Sequence, residues 1–332
     1  MKIRSTLTSI GFAALISAGA ALPAGAVEIA VANYGSSVTG MPWAVALEKG
    51  FFKEAGADVT AIVGSQGGSS EVRNMIAGDL PYVDSSLVPI LKAIKGGADL
   101  RVVNENGHTT AQFVWIVNPN SPIKDIKDIK GKSISFTTPL STSQSLNYML
   151  IEKAGLKNDD VKLVSTGAYG AALTALQTGG IDIALVAEPV YTLNKDKFRV
   201  LFWSRDEFPA INSTIGVSSL KVIKERPDFL RGIIAGHRKA VAFMRTNRME
   251  SAEIIGKVYK IEPKVVEEVL EQLMDHKSTD GITYYSDGDI YAKGLDAIVD
   301  IAMKSGDLKD KIDWRDYVDQ SLLPDDLKRN LK

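Results

Sequence analysis

The chain of 332 residues contains no cysteine and only three histidines. The absence of cysteine excludes disulfide bonds, thiolate metal sites, a cysteine nucleophile and a lipid-modified N-terminal cysteine. Neither sign of charge is in excess, since 39 basic residues face 40 acidic ones, and this balance gives no basic surface for nucleic acid. Apolar residues make up 45% of the chain, which is ordinary globular composition, and the length suggests two domains.

Nucleotide-binding and enzyme motifs are missing as well. Gly35 and Gly40 have the glycine spacing of a phosphate-binding loop, but a Met-Pro pair stands where that loop requires Lys and Ser or Thr. No G-x-S-x-G elbow, H-E-x-x-H helix or calcium-loop spacing occurs. We therefore predict no catalytic residue, no cofactor and no metal ligand, and we expect His237 and His276 to be surface residues.

The longest apolar run lies close to the N-terminus, at residues 10–22, behind two basic residues within the first four positions. Small residues follow it at the positions that a signal peptidase reads. This order is typical of a secretory signal peptide over residues 1–26, cleaved after Ala26. The alternative is a membrane anchor, but a span needs about 20 strongly apolar residues and this run is shorter and diluted by Gly, Ser and Ala. We expect an exported, unanchored protein of a bacterial periplasm.

The rest of the chain alternates short strands with helices, and this alternation predicts parallel sheets with helices on both faces. The pattern of β-branched residues predicts strands at 27–34, 57–63, 82–85, 100–104, 113–117, 133–137, 162–165, 181–186 and 199–202. Apolar periodicity and capping residues predict helices at 42–54, 69–77, 229–245, 251–259, 265–274, 290–305 and 324–331.

A strand–loop–helix–Gly–strand unit occurs twice, at residues 63–83 and again at 164–184. The repeat indicates two lobes of similar build. The alternative is that any two units of this kind look alike, because the repertoire of such units is small.

Four loops rich in Gly, Ser and Thr follow predicted strands, and most of them open a helix. In open α/β sheets, ligands bind at the carboxyl ends of the strands. Backbone N–H groups at a helix N-terminus can hold an anion without Lys or Arg, and hydroxyl groups add further donors. The alternative is plain helix capping. The four loops are residues 33–40, 64–70, 84–86 and 137–143.

Several segments resemble one family, the nitrate/sulfonate/taurine-type periplasmic substrate-binding proteins of ABC transporters. The resemblance is carried by GMPWAVALEKGFFKEAG at 40–56, GGSS at 67–70, AGD at 77–79, DIKGKSI at 128–134 and Glu188-Pro189. It implies a type II periplasmic binding fold, in which two α/β lobes are joined by two crossovers near 109–113 and 203–215. Lobe one would comprise residues 27–112 and 216–332, and lobe two residues 113–215.

The resemblance also implies a function and its partners. The protein would be the soluble solute-binding component of an ABC importer, a monomer that closes over a small anionic or zwitterionic solute such as a sulfonate or taurine. It would deliver this solute to a membrane permease and ATPase, and it would not be an enzyme. Two alternatives remain, namely a binder of a neutral heterocycle or aromatic acid, such as a pyrimidine precursor or aromatic carboxylate, and a cofactor-independent enzyme on the same fold.

The predicted ligand-binding residues lie mostly in the four loops. Glu188 and Asp84 would receive an ammonium group of the ligand, or accept hydrogen bonds from a neutral heterocycle such as a pyrimidine, or else cap loops or pair with Lys. Tyr34, Trp43 and Tyr169 would either wall the cleft or belong to the core. The predicted set is Ser36, Ser37, Trp43, Gln66, Gly67, Gly68, Ser85, Ser86, Thr110, Ser141, Thr142, Ser143 and Glu188.

Overall fold

The computed structural model describes residues 27–310 and 312–331, so the predicted signal peptide lies outside the described residues. The strands are β1 Val27–Ala32, β2 Val59–Ser65, β3 Val83–Ser85, β4 Leu100–Gly107, β5 Phe113–Val117, β6 Ser133–Phe136, β7 Lys162–Ser165, β8 Ala184–Ala187, β9 Arg199–Trp203 and β10 Thr214–Ser219. The helices are α1 Met41–Glu48, α2 Phe51–Glu54, α3 Ser69–Gly78, α4 Leu87–Lys95, α5 Thr142–Lys153, α6 Tyr169–Gln177, α7 Ser204–Glu207, α8 Leu220–Glu225, α9 Pro227–Thr246, α10 Arg248–Tyr259, α11 Pro263–Met274 and α12 Ala292–Ser305.

The strands form separate sheets in two lobes. A five-stranded sheet in the order β2-β1-β3-β10-β4 defines the first lobe, and the sheets β8-β5-β9 and β6-β7 define the second. The chain leaves the first lobe after β4 and returns to it with β10, so two segments of chain connect the lobes. The predicted boundary between residues 215 and 216 falls inside β10. The other predicted boundaries of the two lobes stay a proposal.

The prediction of parallel sheets is confirmed for some strand pairs and wrong for others. Strand β1 is parallel to β2 and β3, and β6 is parallel to β7. However, β10 is antiparallel to both of its neighbours, and β5 is antiparallel to β8 and β9. The reason is that β5 and β10 each follow a chain crossover between lobes instead of the helix of a βαβ unit, so the handedness and direction that such a unit imposes do not apply to them.

Two predicted helices differ from the observed ones. The helix predicted at 42–54 is divided into α1 and α2, because Gly50 adopts a left-handed conformation with a φ of 71°. The helix predicted at 324–331 is reduced to a single 3-10 turn at Asp325–Leu327. Helices α9 to α12 are present where the periodicity predicts them, with ends shifted by a few residues.

Helix α12 packs against α4 of the first lobe and α5 of the second lobe, so this helix contacts both lobes. Its buried residues Leu295 and Ile298 belong to an apolar cluster that includes residues of both lobes. A second cluster packs α1, α9, α10 and α11 against the other face of the five-stranded sheet. Within residues 27–310 and 312–331, every helix is too short or too polar to cross a lipid bilayer.

Candidate functional site

A cavity of about 320 Å³, including its mouth, lies between the two lobes where several strands end. Its walls come from both lobes and from the segments that connect them. Its lining contains no charged side chain; hydroxyl groups, amides and backbone predominate. The lining residues are Ala32, Asn33, Thr39, Gly67, Gly68, Ser86, Gln112, Phe113, Thr137, Ser141, Thr142, Ser143, Tyr169, Ser213 and Thr214.

Four helices begin at this cavity. Helices α3 and α4 of the first lobe start just after Gly68 and Ser86, and helices α5 and α6 of the second lobe start at or beside Thr142 and Tyr169. The first N–H groups of a helix have no partner within the helix and carry partial positive charge. Their convergence from both lobes creates a region of positive potential without a Lys or Arg in the lining.

The hydroxyl groups at the start of α5 are held in fixed positions. Ser141 caps the helix, because its Oγ accepts a hydrogen bond of 3.2 Å from the N–H of Gln144. Ser143 Oγ lies 2.8 Å from Ser141 Oγ and accepts a 3.1 Å hydrogen bond from the N–H of Thr137. These contacts orient two hydroxyl groups toward the cavity before any ligand arrives.

Facing them, the Gly67-Gly68 turn forms the wall of the first lobe. Both glycines have positive φ angles, 87° and 61°, which side chains with a Cβ rarely adopt. A Cβ at Gly68 would also lie 2.5 Å from Thr138 Oγ1. The buried carboxylate of Glu71 accepts hydrogen bonds from the N–H of Gly67, at 2.8 Å, and from the Ser65 hydroxyl, and burial raises the pKa of Glu71 to about 7.

Direct hydrogen bonds join the lobes around the cavity. Thr138 Oγ1 of the second lobe donates to the Gly67 carbonyl of the first lobe at 2.6 Å, and Thr142 Oγ1 donates to the Ser213 carbonyl of a connecting segment at 2.9 Å. Thr142 Oγ1 also lies 3.1 Å from Ser86 Oγ. The two lobes are therefore in contact, and the cavity is the space between them in a closed arrangement.

Six of the thirteen predicted site residues line this cavity, and seven do not. Gln66 is exposed, Ser36 is exposed and bonds the Asn33 carbonyl at 3.1 Å, and Ser37 caps a 3-10 turn. Ser85 is fully buried, and Thr110 lies 2.7 Å from Ser204 Oγ at a different cavity. The six that line it are Gly67, Gly68, Ser86, Ser141, Thr142 and Ser143; the seven others are Ser36, Ser37, Trp43, Gln66, Ser85, Thr110 and Glu188.

Trp43 lies in the core of the first lobe. It is fully buried, with ring centroids 5.9 Å from Phe52 and 4.6 Å from His237. The prediction that His237 is a surface residue is wrong, since it is 1% exposed, and burial lowers its pKa to about 3. His276 is half-buried rather than fully on the surface.

Asp84 and Glu188, the two acids considered as ammonium ligands, are not in the lining. Asp84 is fully buried and accepts a hydrogen bond of 2.6 Å from the Asn106 amide, and burial raises the pKa of Asp84 to about 8. Glu188 accepts hydrogen bonds from the N–H and hydroxyl of Thr192 at 3.1 and 2.9 Å, and burial raises the pKa of Glu188 to about 7. Glu188 thus caps a turn. The part of the chain that the structure describes holds no group of three His, Asp or Glu side chains placed to bind a metal.

Sequence reasoning missed Gln112, Ser213 and Thr214 of the lining. All three lie where the chain passes between lobes, and Gln112 Nε2 donates to Ser213 Oγ at 2.9 Å across the two connecting segments. Two of them belong to or adjoin β10, a strand that the sequence pattern did not predict. A strand predicted at β10 would have indicated these residues, because the first residues of that strand lie beside the cleft.

Comparison with known proteins gives a consistent result. A family model described as NMT1/THI5 like matches residues 39–251. A putative aliphatic sulfonates-binding protein of Bacillus subtilis is 25% identical over 287 residues, which cover 85% of this chain and 83% of that protein.

Solved structures share the fold. The periplasmic aliphatic sulphonate binding protein SsuA of Escherichia coli superimposes with a TM-score of 0.70 at 20% identity, over 89% of this chain and 92% of that one. The desulfurization enzyme DSZB superimposes with a TM-score of 0.61 at 13% identity, over 90% of this chain and 97% of that one. These likenesses confirm the predicted two-lobe α/β fold, and because a binding protein and an enzyme share it, the fold alone does not decide the chemistry.

Proposed function

Because the chain belongs to the NMT1/THI5-like family, we propose that it is the solute-binding component of an ABC importer and captures a small organic anion, such as an alkanesulfonate or the zwitterion taurine. The main support for the proposal is the cavity between the lobes. Four helix N-termini and a set of hydroxyl groups lie around it, and its lining contains no charged side chain. A relative named as a sulfonates-binding protein supports the same ligand class.

The charge and shape of a sulfonate suit this lining. A sulfonate carries one negative charge over three oxygens, and each oxygen can accept more than one hydrogen bond. Ser141 and Ser143 offer hydroxyl donors from the second lobe, and the start of α3 after Gly68 offers N–H groups from the first. The hydroxyl group of Thr142 already donates to the Ser213 carbonyl, so it holds the wall of the cavity in place. An anion bound here is stabilised by helix N-termini, as at other anion sites without a basic residue.

Closure of the lobes provides the mechanism of capture. A ligand shifts an open form toward a closed one only by its greater affinity for the closed form. A hundredfold preference corresponds to about 2.7 kcal/mol, and two or three hydrogen bonds of roughly 1 kcal/mol each are sufficient. The donors around Ser141 belong to one lobe and Gly67-Gly68 to the other, so only a closed arrangement presents both sets to the same ligand.

Binding without chemistry is the function that the lining favours. General acid–base or nucleophilic catalysis needs a carboxylate, imidazole, thiol or amine close to the reacting atoms. No such group occurs among the residues that line the cavity. Tyr169, the only ionisable residue of the lining, is buried, and burial raises the pKa of its hydroxyl group well above the usual range, so the group stays protonated.

The remaining parts of the proposal concern location and partners. We propose that residues 1–26 direct export and that the mature chain acts in the periplasm as a monomer. It would deliver its ligand to a membrane permease driven by an ATPase. The balanced charge of the whole chain supports a small-molecule ligand and no nucleic acid.

A second ligand class, an aromatic carboxylate or a neutral heterocycle such as a pyrimidine, is favoured by one observation. Phe113 and Tyr169 both line the cavity, with ring centroids 6.3 Å apart in an edge-to-face arrangement. Such a pair can pack against a planar ligand.

A ligand screen with a matched pair of variants tests the proposal. Thermal shift and calorimetry would be run on the mature protein with alkanesulfonates, taurine, nitrate, aromatic carboxylates and pyrimidines. A ligand at a hundredfold excess over Kd stabilises the fold by about 2.7 kcal/mol. We expect a sulfonate to bind best, and we expect Thr142→Val to weaken its binding at least tenfold, since the Thr142 hydroxyl group contacts Ser86 of the first lobe and the Ser213 carbonyl of a connecting segment.

The control is Thr174→Val, which changes an exposed hydroxyl group on α6 outside the cavity and should leave the affinity unchanged. Equal binding by wild-type protein and Thr142→Val, a screen without any ligand, or recovery of a ligand in altered form would each refute the proposed function.

A further inference from the structure

A second, smaller cavity lies where both connecting segments meet the first lobe. Its empty space, including the mouth, is about 200 Å³, but only about 10 Å³ is open to the centre of a water-sized sphere, which is room for one small ion. One wall is formed by residues that follow β4, another by α7 and the residues after it, and the third by the segment after α11. The lining residues are Thr109, Thr110, Ala111, Ser204, Arg205, Phe208, Pro209, His276 and Ser278.

Arg205 places a positive charge at this cavity, and the carboxylates of Asp206 and Glu188 stabilise that charge without forming an ion pair with it. Its guanidinium group stacks on the Trp203 ring at 4.0 Å, and its Nη1 is shielded from solvent without a hydrogen-bond partner. Within residues 27–310 and 312–331, no carboxylate lies within ion-pair distance of Arg205, whereas most other arginines pair with Asp or Glu. A buried guanidinium N–H without an acceptor is unfavourable, so an anion that supplies the acceptor would be stabilised here.

The other residues around Arg205 add donors. Burial is the main cause that lowers the pKa of the His276 imidazole, and the positive charge of Arg205 lowers it further. The negative charge of Asp206 acts in the opposite direction. Ser204 and Thr110 present hydroxyl groups 2.7 Å apart, and Ser278 lies on the facing segment. The lining contains no carboxylate that would repel an anion.

We propose that this cavity is a second anion site, separate from the cavity between the lobes, which takes a small inorganic anion of about the size of chloride. The anion accepts hydrogen bonds from Arg205 Nη1 and from hydroxyl groups of the connecting segment. The small volume and the single formal charge exclude large or multiply charged ligands. The walls come from both connecting segments and the first lobe, so the anion joins three separate parts of the chain.

Tryptophan fluorescence provides a direct test, because Trp203 is the only half-exposed residue of the four tryptophans, while Trp43, Trp115 and Trp314 are at most 1% exposed. Iodide would be titrated into the mature protein at constant ionic strength kept with sodium gluconate. We expect quenching to contain a saturable component that chloride removes. Arg205→Gln should raise the half-saturating iodide concentration at least tenfold.

Two controls separate this site from other effects. Arg226→Gln removes an exposed arginine that also stacks on an aromatic ring, Phe229, at 4.1 Å, and should leave the saturable quenching intact. Thr142→Val alters the cavity between the lobes and should leave it intact too, so failure of the proposed function and failure of this site are distinguishable.

A measurement on the unaltered protein completes the test. A bound anion offsets the positive charge of Arg205, so chloride should raise the pKa of His276 measured by NMR. Linear quenching by iodide in the wild-type protein, saturable quenching in Arg205→Gln that matches the wild type, or a pKa of His276 that chloride does not move would each overturn the inference.

Discussion

Gly216 in β10 illustrates how closely single residues fit in the first lobe. A Cβ at this position would lie 1.9 Å from Asn104 Oδ1 and 2.0 Å from the Tyr82 hydroxyl oxygen, two groups joined by a buried hydrogen bond of 3.0 Å. Overpacking a core costs about 1–3 kcal/mol, and the loss of this hydrogen bond adds to it. We predict that Gly216→Ala lowers the free energy of unfolding by about 3 kcal/mol in chemical denaturation.

The matched substitution is Gly170→Ala on α6, where a Cβ meets no atom within 4 Å. It should leave the free energy of unfolding unchanged or raise it by up to about 1 kcal/mol, because Ala is the better helix former. Equal effects of the two substitutions would show that β10 is not packed as described.

Single buried acids make the free energy of unfolding depend on pH. Burial raises the pKa of Asp84 to about 8 and that of Glu105 to about 7, so the folded state holds protons that the unfolded state has released. Their contribution to stability is full below about pH 4 and is lost as the pH rises through their folded values. Burial lowers the pKa of His237 to about 3, so this residue makes the free energy of unfolding rise with pH. The effect of His237 is confined to pH values below about 6.5.

We therefore predict that the free energy of unfolding falls between pH 6.5 and 8.5, with Asp84 contributing about 2 kcal/mol of the fall. Asp84→Asn keeps an oxygen acceptor for the Asn106 amide and should reduce the slope of stability against pH in this range. Denaturation curves at several pH values measure the slope. A stability that rises from pH 6.5 to 8.5, or an unchanged slope in Asp84→Asn, would contradict this account.

The positions of single residues, in the cavity lining or in the core, were the hardest feature to predict from the sequence. Ser141, Thr142 and Ser143 could be predicted to line the cavity, because capping residues at a strand end are visible in the sequence. Trp43 could not be placed, since an aromatic residue near a loop fits a cleft wall and a core equally well, and only the packing of α1 against α9 decides. The burial of His237 has the same cause, because it depends on the partner helix.

At the scale of elements, α11 of the first lobe and the 3-10 segment Thr192–Lys197 of the second lobe are joined by an ion pair. Lys195 Nζ lies 2.6 and 2.8 Å from the two carboxylate oxygens of Glu268, and both side chains are about 40% exposed. Exposed ion pairs contribute about 0.2–1 kcal/mol. Because this pair spans the lobes, we predict that Glu268→Gln weakens binding of a ligand between the lobes about two- to fivefold in calorimetry.

Glu54→Gln is the control, since Glu54 on α2 pairs with Lys239 on α9 within the first lobe. It should leave the affinity unchanged, because that pair does not depend on the angle between the lobes. An equal loss in both variants would mean that the effect comes from net charge rather than from contact between the lobes.

Elements governed by local pattern were predictable, and those governed by topology were not. Strands β5 and β7 have the predicted bounds, because each is a short β-branched run with clear ends. Strand β10 was missed and the antiparallel pairing of β5 was not foreseen. Both elements take their direction from the path of the chain between lobes, and no local pattern of residues encodes that path.

At the scale of the whole molecule, two lobes and two connecting segments place uncharged donors on both sides of one cavity. The internal repeat and the family resemblance predicted this arrangement from sequence, since each lobe has its own sheet and helices. Helix α12 also links the two lobes, since Lys304 Nζ of α12 lies 2.9 Å from Glu152 Oε1 of α5. Motion between open and closed forms should therefore widen the cavity while α12 stays in contact with both lobes.

A crystal structure of the protein with its tightest-binding sulfonate would show whether the two lobes hold an anion between them without a basic residue. We expect sulfonate oxygens within hydrogen-bond distance of Ser141, Thr142 or Ser143 and of the N–H groups after Gly68, with no Lys or Arg side chain in contact. A sulfonate seated beside Arg205, or one held by any basic side chain, would contradict this expectation.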